Sequence, residues 1–81
     1  MSTRDSILTV FQQVASEQGR SLAAMSDGIA LTDCGLDSLS FAIVVSHLED
    51  SLGVDPFATA DDVEFPVTFG DFVRVYERAV A

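Results

Sequence analysis

Apolar positions recur at steps of three and four in three separate stretches of the chain, and no stretch sustains a strict apolar–polar alternation. That periodicity is the mark of amphipathic helices rather than half-buried strands. The first stretch covers residues 4–18, where Ile7, Phe11 and Val14 share a face with Leu8 and Ala15 beside them. Ser2 or Thr3 can cap its start, and Gly19 suits its end. The second covers residues 38–52, opened by Asp37 as N-cap and stopped by Gly53. The third covers residues 69–79 and starts behind Thr68, with Asp71 three residues later as a variant of the capping box. Its stripe is Phe69, Phe72, Val73, Tyr76 and Val80, a core face by its spacing. A short turn of helix is expected over residues 60–63, between the breakers Pro56 and Pro66.

The fold class expected is all-α, a small four-helix bundle of three main helices and one short one. The 81 residues suffice for a single domain over residues 1–81. Residues 20–36 form a long loop between the first two helices. Structureless loops of this length are uncommon in compact domains. The scattered apolar residues Leu22, Met25, Ile29, Leu31 and Leu36 are therefore expected to pin it across the helices.

At about 100° per residue, the second helix has two apolar faces. Phe41, Val44, Val45, Leu48 and Leu52 form the longer stripe and are assigned to the core. Leu39, Ala42, Ile43 and Ser46 cluster on the other side, bordered by Glu49 and Asp50. An apolar centre with a charged rim resembles a protein-docking surface, although the long loop could also fold over part of it.

Charge sharpens this picture. The chain has 13 acidic residues against 4 arginines, no lysine, and a formal net charge of −9. Arg4, Arg20, Arg74 and Arg78 lie towards the two ends, and between Arg20 and Arg74 every charged side chain is acidic. A field of this sign repels nucleic acid and anionic membranes, and it attracts proteins with basic patches. The plainer reading is that the acids simply keep a small protein in solution. Asp61, Asp62 and Glu64 do not match the spacing of an EF-hand loop, and no metal site is expected there. A lone Cys34 excludes an internal disulfide, the first residues lack the apolar segment of a signal peptide, and the longest apolar run is too short to span a bilayer. A monomer in the reducing cytoplasm fits these features.

The stretch Gly35-Leu36-Asp37-Ser38-Leu39 holds the candidate chemistry. Ser38 falls in the first turn of the second helix, where free backbone N–H groups and the helix dipole favour an anion. A phosphate attached to its hydroxyl would be stabilised there. Asp-Ser at a helix start is also ordinary capping, so the dipeptide alone leaves both readings open. Enzyme readings fare worse. Ser38 and His47 stand about 13 Å apart along one helix axis, beyond hydrogen-bond reach, so they form no nucleophile–base pair, and His47 is expected as an exposed helix residue. Cys34 sits among acids that disfavour a thiolate and is expected as a plain loop cysteine.

The whole pattern resembles the acyl carrier proteins: a first helix, a long loop, the Asp37-Ser38-Leu39 motif, an acidic helix ending Leu48-Glu49-Asp50, Gly53 behind it, and the closing segment from Thr68 to Val73. The resemblance implies that Ser38 bears 4′-phosphopantetheine, installed from coenzyme A by a phosphopantetheinyl transferase that reads Asp37 and Leu39. The arm's thiol would hold an acyl or related cargo as a thioester for acyl-loading and acyl-consuming enzymes with basic docking patches. Such a chain is a carrier and not an enzyme, serving fatty acid, polyketide or specialised acyl biosynthesis. Ala42, Ser46, Glu49 and Asp50 fall at the family's partner-facing positions. Ile43 stands where many members have an acidic residue, and Phe41 and His47 are unusual in this helix, which favours a specialised pathway. An aminoacyl or peptidyl carrier, or an unmodified interaction module of the same fold, is the alternative.

Overall fold

A computed structural model of the protein describes residues 2–56 and 66–80. Among these residues there are three α-helices and no strand: α1 (Thr3–Glu17), α2 (Ser38–Leu52) and α3 (Phe69–Val80), with a single 3₁₀ turn at Leu31–Asp33. The short turn expected over residues 60–63 lies outside the described residues.

Each helix begins where a side chain can answer its free amides. The Ser2 hydroxyl accepts from the Asp5 N–H at 3.1 Å and opens α1. Asp37 does the same for α2, accepting from the Ser40 N–H at 2.8 Å. At α3 the Thr68 hydroxyl accepts from the Asp71 N–H at 3.1 Å, and the Asp71 carboxylate accepts in return from the Thr68 N–H at 3.4 Å. This reciprocal pair is the capping box read from the sequence. The helix ends are equally specific. Gly53 closes α2 in the left-handed region at φ 71°. Behind α1, Gly19 at φ 66° donates to Ser16 O and Arg20 donates to Ala15 O, which is the paired geometry of a Schellman motif.

Phe11 organises the core. Its ring meets Phe41, Phe69 and Phe72 edge to face, with centroids 5.8, 5.3 and 5.4 Å away. Edge-to-face pairs of this kind each add about 0.5–1.5 kcal/mol beyond the area they bury. Ile7, Val14, Val44, Leu48 and Tyr76 complete the fully buried centre.

The expected core stripe of α2 faces the core: Val44 and Leu48 are buried, and Phe41, Val45 and Leu52 are half-buried and pack against it, with Ser40 buried beside them. The fully buried line follows a strict i, i+4 row, and Phe41 and Val45 also line a cleft described below. On α3, Val80 departs from the expected stripe: it is 40% exposed, because the last turn runs past the core.

The long loop is tied down through its backbone as well as its apolar side chains. The Leu31 N–H donates to Val67 O and the Phe69 N–H to Ile29 O, both at 2.9 Å. These bonds flank an isolated antiparallel bridge between Ala30 and Thr68, so the middle of the loop is laced to the entry of α3. Leu31, Cys34 and Leu36 are buried, and Leu22, Met25 and Ile29 are half-buried against the core. Arg4 adds a polar strap, pairing with Asp27 while its guanidinium sits 5.4 Å from the centre of the Phe69 ring. No helix among the described residues is long and apolar enough to cross a membrane.

Candidate functional site

The chain arrives at Ser38 through a tightly guided turn. Leu36 is buried and anchors the loop immediately before α2. Gly35 has φ 103°, and a Cβ built there would lie 2.3 Å from the Ser21 carbonyl oxygen. Only glycine serves at this position, because a side chain would meet both a strained backbone and another segment's main chain. The Ala23 N–H donates to Cys34 O at 2.9 Å, so residues 21–23 and 34–35 lie flat against each other.

Ser38 itself is exposed, as are Asp37 and Leu39 on either side. It is the first residue of α2, so its hydroxyl stands at the helix mouth beside the amides of the first turn, which have no partner within the helix. Both oxygens of Asp37 are engaged. One accepts from the Ser40 N–H, and the other accepts from Arg20 Nη2 at 2.7 Å. The Asp37 carboxyl is held below the ordinary carboxylate range, first by the Ser40 backbone bond and then by the Ser40 hydroxyl; burial opposes them, and the Arg20 charge adds a smaller lowering than burial takes back. It is therefore an anion at neutral pH.

The rest of the predicted partner face is displayed along α2. Leu39 is 64% exposed, and Ala42, Ser46, Glu49 and Asp50 are exposed. Ile43 departs from this group: it is half-buried and packs against the core cluster. Four residues beyond Leu39 on the same helix, it has already turned towards the molecule. His47 is likewise half-buried rather than exposed. It lies on the same unbroken helix as Ser38, nine residues on, which keeps the two apart as a catalytic pair. Cys34 is not a surface residue of the loop. It is fully buried, and its Sγ donates to Leu31 O at 3.0 Å, so solvent does not reach the thiol. Asp61, Asp62 and Glu64 lie outside the described residues, and among the described residues no group of acids, histidine and cysteine is arranged to hold a metal ion.

An apolar cleft of about 1100 Å³ opens beside Ser38. Leu36, Phe41, Ala42 and Val45 wall it on the α2 side, and Val67 and Phe72 on the α3 side. Thr32 and Asp55 add polar groups to its lining. Val67 is 69% exposed, the most exposed large apolar side chain described. Neither the cleft nor the Arg20–Asp37 contact was visible in the linear sequence. Arg20 stands 17 residues from its partner, and the cleft draws its walls from the loop, α2 and the approach to α3. The one available signal for Arg20 was its place after Gly19, where the Schellman turn fixes the backbone.

Scans against protein-family models, curated proteins and solved structures returned no match to this chain. Its functional reading rests on the site.

Proposed function

We propose that the protein is an acyl carrier: Ser38 bears 4′-phosphopantetheine, and the chain delivers a thioester-bound cargo to other enzymes without catalysing a reaction itself. The observation that carries this reading is the exposed Ser38 hydroxyl on the first residue of α2, reached through a turn only glycine can make. The residues fit the group. The first-turn amides and the helix dipole favour the anionic linkage, and Ser38 is exposed. When bound, the arm supplies a thiol that holds acyl groups at thioester energy on a flexible tether, which raises their effective concentration at each enzyme visited.

The protein's own residues supply presentation and recognition. Asp37 fixes the helix start, and Leu39, Ala42, Ser46, Glu49 and Asp50 offer an apolar centre with an acidic rim. Basic patches on a phosphopantetheinyl transferase and on acyl-loading and acyl-consuming enzymes are its complement. The cleft beside Ser38 favours an apolar acyl chain over an aminoacyl or peptidyl cargo, since eight of its twelve lining residues are apolar and would shield a hydrocarbon from water. The fold proposed with this function is the carrier's small four-helix bundle, to which the described residues contribute the three main helices. The proposed setting is a monomer in the cytoplasm.

Incubation with a phosphopantetheinyl transferase and coenzyme A tests the reading. The carrier gains the mass of one arm and S38A gains none. A wild-type mass that stays unchanged with several transferases, while Leu39 still captures a protein partner, would favour an unmodified interaction module instead.

A further inference from the structure

We infer that Arg20 is a positioning residue for the loading of Ser38, acting through Asp37; the inference rests on the carrier reading. Three independent features place it. The Schellman turn behind α1 fixes the Arg20 backbone through its bond to Ala15 O. The next residue, Ser21, lies against Gly35 with no room for a side chain between them. The guanidinium then reaches the one Asp37 oxygen that the helix cap does not use. A cation from the end of α1 is thereby held at the mouth of α2, in a stretch where every other charged residue up to Arg74 is acidic.

The chemistry at Ser38 gives this cation a purpose. During loading, Ser38 Oγ forms a bond to the phosphorus that carries pantetheine, and the anhydride P–O bond of coenzyme A breaks. The hydroxyl proton passes to a base on the transferase, and the nucleotide bisphosphate leaves. Both donor and product are anions at the reacting phosphorus, and the adjacent residue is the Asp37 carboxylate. Without Arg20 that carboxylate would repel the phosphoryl group as it approaches. Arg20 neutralises the carboxylate while leaving it free to cap the helix.

The consequence has a sign that separates it from docking. Partners are drawn by negative charge, so removing Arg20 leaves encounter unharmed or improved, yet it slows the transfer step. The test is single-turnover arm transfer, followed by intact mass, on wild type, R20K, R20Q and R20E, with thermal melts alongside. R20K keeps the charge and is expected within about twofold of wild type. R20Q is expected to lose about threefold to fivefold in the saturated rate, the upper range of a half-exposed charge pair. R20E should lose more, with no rise in half-saturating carrier concentration for any variant. The gap between R20Q and wild type should narrow at about 1 M salt, where the screening length falls to about 3 Å. Equal rates for wild type and R20Q overturn the proposal. So does a loss in R20K as deep as in R20Q, a deficit unchanged by salt, or one confined to half-saturation. A wild type that accepts no arm overturns the carrier reading itself, a result distinct from these. Because R20K retains the ion pair, it reads the proposal even if R20E fails to fold.

Discussion

Replacing Gly35 with alanine tests the rigid turn that presents Ser38. Two costs add at this position. An L-residue forced to φ 103° pays for the left-handed region, about 1–2 kcal/mol. The new Cβ would also stand 2.3 Å from the Ser21 carbonyl oxygen, where real Cβ atoms keep at least 3.0 Å, so two backbone segments must part by about 0.7 Å. The bond most exposed to that movement is Ala23 N–H to Cys34 O, with a net value of about 1 kcal/mol. The sum is about 2–3 kcal/mol, or about 10–20 °C in Tm for a domain of this size. Two other glycines separate the terms. G19A meets nothing within 4 Å but sits at φ 66°, so it should lose only the backbone cost of about 1–2 kcal/mol. G28A meets nothing and has no positive φ, so it should stay within about 0.5 kcal/mol of wild type. Urea denaturation followed by far-UV circular dichroism gives all three. If G35A were no less stable than G19A, the close approach of Ser21 to Gly35 would not be a rigid feature, and the account of a fixed turn before Ser38 would fail.

Other predictions follow from the same geometry. Tyr76 is the chain's single tyrosine, and its phenol is pushed well above the ordinary value by burial, with Asp55 and Glu49 adding to the effect. A raised phenol favours the neutral folded state, so its contribution to stability is complete below about pH 10 and is lost as pH rises beyond it. Absorbance at the tyrosinate band should therefore rise together with loss of helical signal; ionisation of Tyr76 in a fully helical protein at pH 10 would contradict its burial. At Leu39, L39E should leave the melting temperature nearly unchanged because the side chain is largely exposed. It should cut arm transfer by tenfold or more, about what burying one leucine at an interface contributes. Unchanged transfer kinetics would remove Leu39 from the docking face.

The helix boundaries were legible because they are written in local chemistry. Asp37 and Gly53 bound α2 as their cap and stop roles dictate, and Thr68 with Asp71 does the same for α3. What the pattern misjudged lies in rotations and long-range contacts. Ile43 and His47 sit at the margins of α2, where a change of a few tens of degrees decides between core and solvent. Ser40 was missed as an inward residue because a hydroxyl carries no apolar signal, yet it occupies the first place of the buried row. Cys34 read as a loop residue, and its burial depends on the loop being laced to α3 by bonds between residues nearly forty positions apart. Arg20 belongs to the same class: its partner is set by a turn at each end of a loop, which no spacing rule encodes.

The proposal that Ser38 bears a phosphate-linked thiol arm meets its most direct test in the protein purified from its own host. Mass spectrometry of the peptide containing Ser38 should find one phosphopantetheinyl group on that serine, free or acylated, and the acyl mass would name the cargo. A peptide recovered in quantity with a bare Ser38, in cells whose other carriers are loaded, would contradict the account.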